Sequence, residues 1–290
     1  MTKIRIVTDS TSDIPVELAK EYSIEVIPMY VGLDGRLFKD QIEIMPEEVY
    51  AALDTDKKVT TSSPSVGDYI SVFTRLLEQE KAEKIYCITL SARLSASFNA
   101  ATVAGKMFAP DTIKIIDSKT STMCQGLIAI QAAQAAESGK YSAAEIENII
   151  NELINRNKLI GVLENFKYLF KGGRAVFLGR FINKIVKFMP ILHIGKNGKV
   201  QLKKFVKTRE GALQEIYRQT VAAAKLNEDN LISIFYGRNE DNHFVKELES
   251  LIRQNKEISV SNIYFNTITT VMGAHTGPVI WGVAISPKLV

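Results

Sequence analysis

Apolar residues recur along the chain at two spacings that predict helices and strands in alternation. In residues 66–79 they recur every three and four positions, which predicts an amphipathic helix. Residues 84–90 are almost continuously apolar, as in a parallel strand that is covered on both faces. The same criteria predict strands at 3–8, 24–31 and 112–116, and helices at 45–53, 123–137 and 143–156. This alternation predicts an α/β domain with a doubly wound parallel sheet.

The second half of the chain has a different pattern. An Asn-Gly pair at 197–198 separates two apolar runs, 191–194 and 200–206, and therefore predicts a β-hairpin. Residues 176–189 are apolar on several faces. Further strands are predicted at 159–163, 231–236, 259–266 and 283–286, and helices at 210–224 and 241–254. We predict a second α/β domain with a mixed sheet, so that the 290 residues divide into domains 1–157 and 158–290.

Composition narrows the class of protein. A hydrophobic content of 46% and a charged content of 23% are typical of soluble globular proteins. The net charge of +4 is too small to indicate a nucleic-acid partner. We see no signal peptide and no apolar run long enough for stable membrane insertion, and we expect a cytoplasmic protein. Cys87 and Cys124 lie in apolar patterns without metal-ligand spacing, which predicts buried thiols.

Hydroxyl-bearing residues follow the predicted strands. Ligands of open α/β sheets bind beyond the carboxyl ends of the strands, so these residues predict a polar rim for a small anion or a carboxylate. Pro64 suits the first position of the helix at 66–79, which makes Ser63 its predicted N-cap and places a positive dipole end at the rim. The segments concerned are 8–13, 60–65, 91–97 and 117–118.

Other functions remain open on residue types alone. Asp9 and Asp13 follow a strand, as in phosphotransferases with an aspartate nucleophile, although a cap with Asx-type hydrogen bonds is the favoured interpretation. Ser95 is a candidate hydrolase nucleophile, but its flanking residues are not GxSxG. The glycines at 172–173 are too few for a P-loop. His275 lies in a glycine-containing loop and is either structural or directed at a ligand.

Six motifs occur in order along nearly the whole chain: TDSTSD at 8–13, TSSPS at 61–65, LSASFNAA at 94–101, IIDS at 115–118, YLFKGGR at 168–174 and MGAHTGP at 272–278. In this order and spacing they resemble the DegV family. This resemblance implies two α/β domains with a long-chain fatty acid of the palmitate, stearate or oleate type between them, and its tail within the C-terminal domain. It also implies a non-catalytic protein without a cofactor, because some members serve a separate fatty acid kinase that phosphorylates the bound carboxylate for phospholipid synthesis.

The resemblance also assigns roles to individual residues. Thr61, Ser95 and His275 match the residues that hold the carboxylate in the family, while Arg174 and Arg209 match arginines linked to the head group or to the kinase. We expect a supporting rim of Ser62, Ser10, Ser97, Asn99 and Thr276. The chain departs from the family pattern at Ser63, at Ala96–Ser97–Phe98 and at Val279, which affects the expected shape of the pocket.

Three hypotheses follow for the function. In the first, the protein is a carrier that presents a fatty acid to a kinase. A buried tail of about 15 carbons contributes on the order of 12 kcal/mol before entropy costs, against about 1.5–3 kcal/mol for one hydroxyl–carboxylate bond. In the second, it is a stand-alone phosphotransferase using Asp9 or a hydrolase using Ser95. In the third, it is a regulatory module whose lipid is only structural.

Overall fold

Two large β-sheets and the helices around them make up most of the computed structural model, which describes residues 3–164, 188–238 and 242–290. The strands are β1 (Ile4–Asp9), β2 (Glu25–Ile27), β3 (Tyr30–Leu33), β4 (Arg36–Lys39), β5 (Val59–Ser62), β6 (Lys84–Thr89), β7 (Ile113–Asp117), β8 (Lys158–Leu163), β9 (Met189–Ile194), β10 (Val200–Val206), β11 (Asn230–Tyr236), β12 (Asn262–Thr267) and β13 (Ile280–Pro287). The helices are α1 (Val16–Glu21), α2 (Pro46–Asp54), α3 (Val66–Thr74), α4 (Ser97–Gly105), α5 (Thr122–Ser138), α6 (Ala143–Arg156), α7 (Arg209–Ala224), α8 (Asn242–Gln254) and α9 (Thr270–Thr276). No helix within these described residues combines the length and the apolar character needed to span a bilayer.

The first sheet is the predicted doubly wound parallel sheet. Its strand order is β2-β1-β6-β7, and all three pairings are parallel. Successive side chains of a strand point to opposite faces, and here Ile6 and Ile88 pack with α5 while Val7 and Cys87 pack with α3 and α4. Both faces are therefore covered, as the apolar run at 84–90 indicates.

The prediction of one strand at 24–31 was wrong. β2 ends at Ile27 and pairs with β1, whereas β3 begins at Tyr30 and belongs to a separate three-stranded antiparallel sheet, β4-β3-β5. Pro28 lies between the two strands and has no N–H group to continue the ladder. The small sheet matters for the site because β5 carries Thr61, which pairs with Val31 of β3.

The second sheet is mixed, in the order β10-β9-β8-β13-β11-β12. Only the β11–β12 pairing among these is parallel. The predicted hairpin joins β9 to β10, and Gly198 in its turn has φ +76°, a conformation that favours glycine. The predicted domain boundary at 157/158 falls between α6 and β8 and stays a prediction. The apolar segment at 176–189 lies outside the described residues except for Phe188 and Met189.

Helix α5 lies between the two large sheets and is buried on every side, which explains why its sequence shows no polar face. Its two buried glutamines each bond to a different sheet. Gln125 Nε2 donates to Thr8 Oγ1 of β1 at 2.9 Å, and Gln131 Nε2 donates to Ser286 Oγ of β13 at 2.9 Å. Buried amides need such partners, so these bonds set how α5 is seated between the sheets.

Helix α9 comes from the second half of the chain but packs on the first. It contacts α2, β3 and β5, and Val271 shares a buried cluster with Met29, Val31 and Tyr50. Gly273 makes the close approach to α2 possible, because a Cβ atom there would lie 2.8 Å from the Tyr50 ring. As a result α9 carries His275 to the end of β5.

Candidate functional site

A cavity of about 330 Å³ lies where β5, the segment between β6 and α4, and helix α9 meet. We call it the head cavity. Its wall combines apolar residues from both halves of the chain, among them Met29, Leu90 and Met272, with a group of hydroxyls and one imidazole. The polar lining residues are Thr11, Thr61, Ser62, Ser63, Ser95, Ser121, Thr276 and His275.

Thr61 and His275 are in direct contact in this cavity. Thr61 Oγ1 lies 2.7 Å from His275 Nε2, although 214 residues separate them in the sequence. A hydroxyl has one proton to donate and can also accept hydrogen bonds. When the Thr61 hydroxyl donates to a ligand oxygen, its contact with the imidazole requires Nε2 to carry a proton and donate to Oγ1. The pair can therefore orient one hydroxyl towards an anionic ligand.

Ser95 is held by a local turn that precedes α4. Its Oγ donates to Ser97 Oγ at 3.3 Å and accepts from the Ser97 backbone N–H at 3.2 Å. Ser95 is half-buried and Ser97 is buried. The turn keeps the Ser95 hydroxyl at the wall of the head cavity while Ser97 supports it from behind.

The helix that follows the TTSSPS segment begins two residues later than predicted. Its N-cap is Ser65, not Ser63, because Asp68 lies at the third helical position and completes a reciprocal capping box. Ser65 Oγ accepts from Asp68 N at 3.1 Å, and Asp68 Oδ2 accepts from Ser65 N at 2.8 Å. Ser62 and Ser63 are therefore part of the cavity wall rather than the cap.

The expected supporting rim is only partly at the head cavity. Ser62 and Thr276 line it. Ser10 does not, because its hydroxyl donates to Asp40 Oδ2 at 2.6 Å and accepts from Met29 N at 3.1 Å. Ser97 and Asn99 are also absent from the wall, the first buried behind Ser95 and the second exposed on α4. Sequence reasoning missed the contribution of Ser121, which precedes α5 and also lines the cavity.

The two arginines assigned by resemblance lie elsewhere. Arg174 falls outside the described residues. Arg209 begins α7, and its Nε donates to Glu164 Oε2 at 2.9 Å while its guanidinium lies 6.0 Å from the centre of the Phe244 ring. It does not line the head cavity.

A smaller cavity of about 90 Å³ adjoins the head cavity on the side of the second sheet. We call it the tail cavity. The two share four lining residues, Ser121, Val200, Met272 and Thr276. Most of the remaining wall is apolar and comes from β8, β9, β11 and β13, with Leu159, Leu163, Leu192, Phe235 and Ile280. Burial and the nearby Lys203 lower the pKa of His193, which favours the neutral imidazole in the tail cavity.

The TDSTSD motif forms a buried network rather than a metal site. The Asp9 carboxylate accepts from the backbone N–H groups of Thr11 at 3.2 Å and Leu90 at 2.8 Å, and from Gln125 Nε2 at 3.3 Å. The bond to Thr11 is the Asx-type cap that the sequence favours. Burial raises the pKa of Asp9, and these hydrogen bonds act against that rise. No cluster of three or more metal-ligating side chains occurs within 3–164, 188–238 and 242–290.

Comparison with known proteins settles the family. The model of a family described as "Uncharacterised protein, DegV family" matches residues 3–288. The chain belongs to the DegV family. A DegV domain-containing protein of Caldanaerobacter subterraneus subsp. tengcongensis is 30% identical over 288 residues, which cover 99% of this chain and 100% of the relative.

Solved structures of DegV proteins share the whole fold with this chain. One from Thermus thermophilus, whose description is fatty acid binding by a DegV family protein, superposes with a TM-score of 0.92 at 25% identity over 99% of this chain and 100% of its own. A protein of Eubacterium ventriosum described as binding stearic acid superposes with a TM-score of 0.85 at 26% identity and covers 99% of each chain. These similarities confirm the two-domain α/β fold of this DegV protein.

Proposed function

We propose that this DegV protein binds a long-chain fatty acid, with the carboxylate in the head cavity and the acyl chain directed into the tail cavity. One observation carries the proposal: a cavity lined by Thr61, Ser95 and His275 adjoins a cavity with mainly apolar walls. A fatty acid has the same division between a polar end and an apolar chain. Similar structures described as fatty-acid-binding proteins support the choice of ligand.

The head cavity suits a carboxylate because hydroxyls converge on it from separate elements. We assign the hydroxyls of Thr61 and Ser95 as donors to the carboxylate, with His275 donating to Thr61 and the Ser97 hydroxyl rotated so that it donates to Ser95. Each bond from a hydroxyl to a charged carboxylate contributes about 1.5–3 kcal/mol, reduced by the cost of removing water from the charge. Their main effect is therefore to fix the orientation of the ligand, while the acyl chain supplies most of the affinity at about 0.8 kcal/mol per buried methylene.

We further propose that the bound carboxylate is presented to a separate fatty acid kinase in the cytoplasm, which forms the acyl phosphate for phospholipid synthesis. In this role the protein is not itself an enzyme. Two observations are in keeping with it. The Asp9 carboxylate is fully buried and already accepts from four donors, the Thr11 hydroxyl included, which disfavours its use as a phosphotransferase nucleophile. The buried, unpaired thiols of Cys87 and Cys124 suit a reducing compartment.

Native mass spectrometry of the purified and delipidated protein tests the binding step. We expect a one-to-one complex with palmitate, stearate or oleate, and weaker binding of an alkane of the same length at the same concentration. Failure to bind any of the three acids would contradict the proposal.

Adding a bacterial fatty acid kinase and ATP tests the second step, presentation of the carboxylate to a kinase. Acyl phosphate should form only when this protein is present. If no acyl phosphate forms with a kinase that is active on its own carrier protein, that step is excluded.

A further inference from the structure

The placement of His275 depends on a short helix whose beginning meets buried carboxylates. Helix α9 has seven residues, and His275 is the sixth of them. The Thr269 backbone N–H, just before the helix, donates to Asp13 Oδ1 at 2.9 Å. This buried bond joins residues 256 positions apart and connects the TDSTSD motif to the helix that carries the imidazole.

Asp13 is held rigidly for this contact. It is 3% exposed and adopts a left-handed conformation with φ +51°, which aspartate tolerates better than most residues. Its backbone N–H donates to Ser10 O at 3.1 Å and closes the turn that follows β1. The position of its carboxylate is thus fixed by the first sheet.

Asp40 adds a second carboxylate at the same place. It is 1% exposed, accepts from Ser10 Oγ at 2.6 Å, and its backbone N–H donates to Met29 O at 2.9 Å. Burial raises the pKa of Asp40, and the hydrogen bond from Ser10 acts against that rise, while Asp40 Oδ1 is buried without a hydrogen-bond partner among the described residues. Asp13 is therefore the acid that bonds to the start of α9, and Asp40 lies nearby, lining one cavity with Thr269.

We propose that Asp13 is a positioning residue that holds the N-terminal end of α9 through the Thr269 backbone N–H and thereby keeps His275 in contact with Thr61. The inference rests on the proposed carboxylate site. Thr270 and His275 are five residues apart, which corresponds to about 7.5 Å of helix. A tilt or shift at Thr269 is therefore passed directly to the imidazole. Two carboxylates buried at this point are costly for folding, which agrees with a role in placement rather than in stability alone.

The test compares palmitate with 1-hexadecanol, which has the same chain but no carboxylate. In the wild-type protein we expect palmitate to bind more tightly than the alcohol. Asp13→Ala should reduce this preference by about tenfold, because the imidazole is no longer held beside Thr61, and leave alcohol binding unchanged. Asp13→Asn should restore most of the preference because its amide oxygen still accepts from Thr269 N. Asp229→Ala is the control, since Asp229 bonds to Ser259 and Asn230 in the second half of the chain.

A direct readout is the nitrogen NMR spectrum of the imidazoles. The chain has three histidines, and a His275→Gln variant identifies the signal of interest. In Asp13→Ala the His275 Nε2 shift should move towards its value in Thr61→Val, where the hydroxyl partner is missing. If Asp13→Ala does not fold, Asp13→Glu keeps the carboxyl group but displaces it by one methylene, and the same shift is expected.

The outcomes separate this inference from the function on which it rests. Equal binding of palmitate and 1-hexadecanol by the wild-type protein would overturn the proposed carboxylate site. If the wild-type protein clearly prefers palmitate over 1-hexadecanol, and the folded Asp13 variants keep this preference with an unchanged His275 signal, the positioning role is overturned and the proposed site stays intact.

Discussion

The head cavity and the tail cavity differ in how the chain builds them. The head cavity brings together Thr61, Ser95 and His275 from three separate segments, and its key contact joins β5 to a helix from the other half of the chain. The tail cavity is lined mainly by apolar residues of neighbouring strands in a single sheet. In the proposed complex, selectivity for a carboxylate and affinity for an acyl chain therefore come from different parts of the fold, and we expect that each can be changed separately.

The largest effect should come from filling the tail cavity. Leu192→Trp places a bulky ring where Leu192 of β9 lines that cavity. Excluding about four methylenes would cost about 3 kcal/mol, or roughly 100-fold in the affinity for palmitate. Isothermal titration with acids of increasing length should show that affinity stops rising at a shorter chain than in the wild type. Leu37→Trp, at an exposed position, is the control. An equal loss for octanoate and palmitate would contradict the assignment of the tail.

Removing the Thr61 hydroxyl should have the next largest effect. Thr61→Val keeps the shape of the side chain but removes a donor to the carboxylate, which should cost about 1.5–3 kcal/mol, or roughly 10- to 100-fold for palmitate. Binding of 1-hexadecanol should change far less. Ser95→Ala should act in the same direction, and the two changes together should weaken carboxylate selectivity further. Unchanged selectivity in the double variant, measured by ligand displacement, would refute these roles.

A substitution in α5 at a position that lines neither cavity should lower stability without affecting ligand binding. Gln131 is fully buried and bonds to Ser286, Pro287 and Leu289. Gln131→Leu leaves the Leu289 N–H without its partner, and we expect the free energy of unfolding to fall by about 1–3 kcal/mol. Urea unfolding measures this loss. A parallel loss of palmitate affinity in the folded variant would show that the seating of α5 also controls the site.

The smallest effect is expected from removing the Ser121 hydroxyl, and it tests which residues line the head cavity. Ser121 lines both cavities, so Ser121→Ala should weaken palmitate binding by about two- to threefold. Asn99 is exposed on α4, and Asn99→Ala should leave binding unchanged. The reverse order of effects, measured by the same titration, would mean that the carboxylate lies nearer α4 than we propose.

Local patterns predicted much of the fold. The parallel sheet, the mixed sheet and the β9–β10 hairpin follow from apolar periodicity and from the Asn-Gly pair, because these signals lie within a few residues of each other. The division of 24–31 between two sheets was missed, although Pro28 marks it. The insertion of α9 into the first half was also missed, since it depends on packing between residues far apart in sequence, such as Val271 and Tyr50.

Only part of the candidate site was predicted from the sequence. Motifs named Thr61, Ser95 and His275, and the structure places all three on one cavity. Residue type alone did not show that Asp40 accepts a hydrogen bond from the Ser10 hydroxyl, because the two residues lie 30 positions apart in the sequence. Nor did it reveal Ser121, which reaches the cavity only because α5 lies between the two sheets.

The orientation of the ligand tests the central claim most directly. A crystal structure with palmitate that carries a bromine atom at the end of its chain would locate that end by anomalous scattering. We predict a bromine peak beyond Val200, among Leu159, Leu192 and Phe235, with the carboxylate beside Thr61 and Ser95. A bromine peak beside Thr61 and His275, or a chain that avoids the tail cavity altogether, would contradict the account.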